Sequence, residues 1–199
     1  MANIWDKVIA LMHRFMENKT VKLVDLGVPD PAGAEVFNAA KEKTGVDWHN
    51  TLYDHFNGVT MKWIGKEKEI PGVEGSIKIL KMEKMMQDWN LDRDDPAMKD
   101  FFILDYFADE TCVGFYKGFD LLYLYDMGGE TQALQLDFNG YLEICLAAKG
   151  FLYWPVIVRS FIDNEVIPEA ERFDKYMPEI FEGTSVAKLK EVFERVKIK

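Results

Sequence analysis

Three histidines and two cysteines are the residues of this 199-residue chain best able to ligate a metal or attack a carbon centre. Their spacing speaks against both uses. A zinc-binding helix presents histidines four apart on one face. His49 and His55 are six apart, about 120° out of line at 3.6 residues per turn, and His13 is far upstream. Neither Cys112 nor Cys145 belongs to a Cys-x-x-Cys pair. Cys145 sits among Leu142, Ile144, Leu146 and Ala147, whereas a reactive thiol needs an electropositive, partly open niche. The serines Ser76, Ser160 and Ser185 stand in no Gly-x-Ser-x-Gly elbow. Gly65-Lys66 is followed by Glu67 and lacks the glycine-rich approach of a phosphate cradle, and no Gly-x-Gly-x-x-Gly is present. With 34 Asp and Glu, carboxylate pairs are unavoidable and single out no glycosidase site. The expectation is a protein without catalytic residues, metal or cofactor.

Charge is the stronger signal. The chain carries 24 Lys and Arg against the 34 acids, a net of -10. Such a field repels nucleic acid, which needs a basic stripe that releases counterions, and attracts a basic protein partner. Between Asp88 and Glu110 the acids Asp88, Asp92, Asp94, Asp95, Asp100, Asp105, Asp109 and Glu110 face only Arg93 and Lys99. This run reads two ways. As a solvated loop, Asp92-Arg93-Asp94-Asp95-Pro96 is ordinary turn chemistry. As a docking face, Asp92, Asp94, Asp95, Asp109 and Glu110 are the partner-binding candidates, and the field raises the rate of encounter. A calcium loop lacks its glycine and its bidentate glutamate.

The elements that must position these residues follow from periodicity. At 48% hydrophobic residues and 199 in length, one well-packed domain over 1–199 is expected. Ile4, Trp5, Val8, Ile9, Met12, Phe15 and Met16 recur at helical intervals. Asp30-Pro31 opens a second predicted helix running to Thr44 and stopping at Gly45. Asp47 caps a short third, ended by Asn57-Gly58. Val59 to Ile64 reads as a strand, then Ile77 and Ile79 alternate, and a Met-rich helix spans about Met82 to Trp89. Phe101 to Phe107, Thr111 to Tyr116 and Leu121 to Tyr125 are apolar runs joined by short polar turns, the pattern of an antiparallel meander. Asp137 caps a helix running to Gly150, and two more helices cover Pro168 to Glu182 and Ser185 to Val196. The fold class is α+β, a mainly antiparallel twisted sheet flanked by helices, with helical N- and C-terminal segments. The most apolar stretch, Tyr141 to Val158, is interrupted by Glu143, Lys149, Gly150 and Pro155, so it reads as core and not as a membrane span. The start has no basic segment followed by an apolar one, so a cytoplasmic protein is expected.

Leu52-Tyr53-Asp54-His55-Phe56-Asn57-Gly58 resembles the helix ending in Asn-Gly that precedes the first core strand of the SUKH superfamily, also called the Smi/Knr family. The Gly75-to-Leu80 strand, the short helix ending near Trp89 and the Phe101-to-Tyr116 hairpin follow in the same succession. The resemblance covers about residues 30–160. It departs at the C-terminus, where an apolar stretch and two helices, with an extension over about 165–199, replace a closing strand and helix. It implies a non-catalytic binding domain, in bacteria commonly an immunity protein that neutralises a toxin such as a nuclease, and in fungi a regulator acting through protein partners. The competing expectations are a small hydrolase using a carboxylate or His55 in a cleft, and a regulatory scaffold.

Overall fold

Among the described residues seven strands hydrogen-bond in chain order; short connections from the fourth strand onward leave each strand to pair with the one before it, whereas the first and third reach their successors across long connections that carry helices. They are Val21–Gly27 (β1), Val59–Gly65 (β2), Glu74–Ile79 (β3), Phe101–Ala108 (β4), Thr111–Tyr116 (β5), Leu122–Asp126 (β6) and Gln132–Ala133 (β7), all antiparallel. The computed structural model describes residues 3–66, 73–87, 98–108, 111–126 and 131–198. The helices among them are Ile4–Glu17 (α1), Ala34–Thr44 (α2), Met82–Met85 (α3), Phe138–Ala147 (α4), Trp154–Asp163 (α5), Pro168–Ile180 (α6) and Val186–Val196 (α7). The fold is the α+β arrangement expected, with helices at both ends of the chain.

Alternation decides which face of the sheet is core. Val59, Met61 and Trp63 pair with Ile79, Ile77 and Gly75, and all six are buried. Helices cover this face. The Trp63 ring meets Phe15 of α1 and Phe181 after α6, at 6.0 and 5.7 Å between centroids, and its indole N–H donates to the Lys149 carbonyl at 2.8 Å. Further along the sheet, Phe115 packs on Trp48, which also meets Tyr53 and Phe138 edge-on. The opposite face carries Thr60, Lys62, Ser76 and Lys78 on β2 and β3, half-buried or exposed, and an aromatic group on β4 to β6.

Two glycines let backbones and rings approach closely. A methyl on Gly75 would overlap the Trp63 indole, and one on Gly114, in the centre of β5, would overlap the Phe102 carbonyl oxygen and the Phe101 ring. A bulge in β4 between Ile103 and Asp105 accompanies the second approach.

Several boundaries differ from the sequence reading for identifiable reasons. The Asp30 carbonyl accepts from the Asn57 N–H at 3.2 Å, which holds that segment extended, so α2 starts after Gly33; Gly45 ends it in the left-handed conformation, as expected. Of the third helix only a 3-10 turn, Leu52–Asp54, remains. Asp47 accepts from the His49 N–H and Asp54 from the Asn50 N–H, side-chain bonds that compete with a helix ladder. Strand β1 and helix α5 have no counterpart in the sequence reading. In β1 a register shift between Leu23 and Asp25 breaks the alternation, and in α5 Pro155 occupies the first turn, where its missing N–H costs nothing.

The cap of α4 is as expected: the Asp137 carboxylate accepts from the Gly140 N–H at 2.7 Å. Asp137→Ala is expected to lower stability by about 1 kcal/mol without changing the fold. Urea unfolding followed by circular dichroism checks this, a reduced midpoint at unchanged slope being the expected result.

Candidate functional site

All five partner-binding candidates, Asp92, Asp94, Asp95, Asp109 and Glu110, lie outside the described residues. The described residues flanking them do not lie together. Met98 and Ala108 stand at opposite ends of β4, whose eight residues span about 23 Å at roughly 3.3 Å per step.

Of the acidic run, Asp100 and Asp105 are described, and they differ completely. Asp100 is exposed at the start of β4. Asp105 is fully buried on the helix-covered face, which removes it from any acidic surface. The Tyr141 hydroxyl donates to it at 2.9 Å and the Lys78 N–H at 3.3 Å. Burial nevertheless dominates and pushes its carboxyl up to about 7, with the two hydrogen bonds pulling the other way.

That shift is of the size a general acid uses, but Asp105 lines none of the five cavities described for this protein. Cys112 and Cys145 are buried free thiols, held high by burial and then by the nearby Asp105. The Phe37 ring stacks on His49, whose Nδ1 lies 3.3 Å from Asp54, and the Trp5 ring lies 5.2 Å from His55. No group of three or more His, Cys, Asp or Glu among the described residues could hold a metal ion. No helix among them is long and apolar enough to cross a membrane.

The end of the sheet reached from Met98 has a different character. Here the β5–β6 connection, Lys117-Gly118-Phe119-Asp120, presents Phe119 with 64% of its surface exposed. The turn is pinned at three points. The Lys117 N–H donates to the Asp100 carbonyl at 2.8 Å, the Gly118 N–H to the Thr44 carbonyl at the end of α2 at 2.8 Å, and the Phe119 N–H to Tyr116 at 3.0 Å. Asp100 and Asp120 are both exposed beside it. A rigid aromatic side chain among carboxylates can do no bond chemistry, but it can enter an apolar pocket rimmed by lysines and arginines. Sequence reasoning missed Phe119 because it read Lys117 to Asp120 only as a connection; an aromatic inside a Gly-containing polar turn was the available signal.

At the other end of β4, Asp126 is paired with Thr111 and exposed. The sheet face between the two ends holds Phe101, Tyr116, Tyr123 and Tyr125, with ring centroids 5.0 to 5.9 Å apart. Tyr116 and Thr131 share a hydroxyl hydrogen bond at 2.9 Å.

Comparison with protein-family models and with curated proteins finds no match.

Proposed function

We propose that this chain is a non-catalytic protein-binding module of SUKH type, an immunity protein that neutralises a basic toxin such as a nuclease by occupying it. The observation that carries the reading is the pinned Phe119 turn beside the exposed Asp100 and Asp120. Two further features support it. The net charge of -10 favours capture of a cationic surface, where carboxylates take the place of the phosphates a nuclease would grip. The segment order Leu52–Gly58, Gly75–Leu80 and Phe101–Tyr116 resembles the SUKH succession.

In this account the charges set the rate of encounter and the aromatic sets the lifetime of the complex. The partner to use is a basic toxin that co-purifies with this chain, with association followed by stopped flow at several salt concentrations. Replacing Asp92, Asp94 and Asp95 together by asparagine is expected to slow association about tenfold at low salt and to flatten its salt dependence. Phe119→Ala is expected to leave association unchanged and to speed dissociation about 30-fold, the equivalent of roughly 2 kcal/mol. Unchanged rates in both variants would reject the assignment.

A further inference from the structure

On the side of the molecule built by α1, α4 and α7, two cavities of about 290 and 340 Å³ share Arg14, Ala147, Lys149, Val192 and Arg195 and so form one trough. Its lining reverses the sign of the chain as a whole. Lys7 and Arg14 from α1, Lys149 after α4, and Lys188 and Arg195 from α7 face three carboxylates, Glu143 of α4, Glu182 after α6 and Glu191 of α7. The pairings are uneven. Glu143 is held by Lys7 and by Arg195, the latter at 3.6 Å, and Lys188 pairs with Glu191 at 2.8 Å. Arg14 and Lys149 have no carboxylate partner among the described residues, and the Lys149 ammonium donates to the Leu146 carbonyl at 3.1 Å.

The backbone beneath Lys149 supplies an independent argument. It stands in the left-handed region at φ 57°, directly before Gly150 at φ 63°, and its carbonyl is fixed by the Trp63 indole. A side chain in that conformation costs about 1 kcal/mol that glycine would not, so the position calls for glycine on local grounds and carries a lysine instead. The lysine lines both cavities of the trough. Burial, and then the neighbouring Arg14 charge, hold its amine down at about 8. Among the described groups with shifted acidities, Lys149 is the one that lines a cavity.

We propose that this trough is a binding site for a phosphoryl group, held as its dianion between the Arg14 guanidinium and the Lys149 ammonium. Two adjacent cations without a paired carboxylate match a charge of about -2, and a guanidinium fork takes two phosphoryl oxygens at once. The ligand is a free phosphate or phosphoester, or a phosphorylated side chain; the chemistry recognised is the same. The site lies on helices away from the Phe119 turn and stands or falls apart from the toxin-binding reading.

Binding couples to protons with a definite sign. A dianion favours the charged form of Lys149 and raises its pKa from about 8, so above pH 8 binding takes up a fraction of a proton and weakens as pH rises further. The other charged groups that face the trough are Lys7 and Arg14 of α1, Glu143 of α4, Glu182 after α6, and Lys188, Glu191 and Arg195 of α7.

The test is calorimetric titration of the full chain at pH 8.5 and constant ionic strength, in two buffers of different ionisation enthalpy. Inorganic phosphate, a phosphoserine peptide and its unphosphorylated form are the probes, with acetate as the singly charged control. Phosphate is expected to bind with proton uptake, and acetate at least tenfold more weakly. Arg14→Gln is expected to weaken phosphate at least tenfold, and Lys149→Met to do the same and abolish the proton uptake. A phosphopeptide at least tenfold tighter than phosphate assigns the site to phosphoproteins, and phosphate equal to or tighter than the peptide assigns it to small phosphates. Arg14 is exposed on α1, so its variant tests the site even if Lys149→Met unfolds. Absence of phosphate binding by the unaltered chain, or binding that neither variant changes, overturns the proposal.

Discussion

Asp105→Asn is expected to make the protein more stable at pH 8 than the parent chain, although it removes a charge that accepts two hydrogen bonds. The carboxyl titrates near 4 when unfolded and at about 7 in the core, because burial outweighs the help of Tyr141 and Lys78. Between those values the folded protein binds more protons than the unfolded chain, so its stability falls as pH rises. The contribution of protonated Asp105 is complete below about pH 4 and lost as pH passes 7. A shift of three units corresponds to about 4 kcal/mol. Asparagine fills the same space without ionising. Relative to the parent, the variant should gain up to that amount between pH 4 and pH 8, about 2 M in the urea midpoint at an ordinary slope of about 2 kcal/mol per M. Tyr141→Phe should do the opposite, costing more at pH 8 than at pH 5, since the lost hydroxyl supports the ionised form. Midpoints that run parallel with pH for the parent and Asp105→Asn would refute this assignment.

Gly114→Ala is the other large effect. The added methyl meets the Phe102 carbonyl oxygen, part of the backbone of the neighbouring strand, and the ring of Phe101. Neither can yield without disturbing the pairing of β4 with β5 at the centre of the sheet. A cost of about 3 kcal/mol is expected, about 9 °C in melting temperature for a chain of this size. Gly33→Ala is the control. Gly33 has open space at its Cβ position and an ordinary φ of -71°, and the substitution should cost less than about 1 kcal/mol. Thermal unfolding of the two variants measures the contrast, and equal melting temperatures would contradict the packing described.

Much of the fold was legible because local signals and tertiary packing agree. The meander from Phe101 to Tyr125 is made of apolar and aromatic runs joined by short connections, so pairing in chain order follows from the sequence. Asp137, Gly45 and Ser185 mark helix ends by side-chain and backbone preferences that need no tertiary partner. What was not legible depends on distant residues. β1 holds its place at the sheet edge by pairing with β2 across 32 residues, beginning Gly27↔Thr60, and its irregular register hides the alternation. Residues 47–51 go to a loop because Asp47 and Asp54 satisfy backbone donors.

The acidic run illustrates the same limit. Counting charges from Asp88 to Glu110 treats Asp105 as surface, whereas the bulge between Ile103 and Asp105 turns it to the helix-covered face, where it is buried beside Tyr141. Phe119, by contrast, is made prominent by hydrogen bonds from Lys117 and Gly118 to residues 17 and 74 positions away in the chain. The cationic trough gathers residues from positions 7 to 195, and no reading of neighbours could assemble it.

The central claim is that the protein acts by holding another protein and makes or breaks no bond. The direct measurement is titration of the purified chain into a basic toxin that co-purifies with it, with the partner's own activity followed in the same mixture. The account predicts a one-to-one complex of nanomolar affinity, weakened by salt, in which the partner's activity falls to zero as the chain reaches equivalence. An undiminished partner activity at saturating chain, or substoichiometric inhibition in which one chain silences many partners by modifying them, would contradict it.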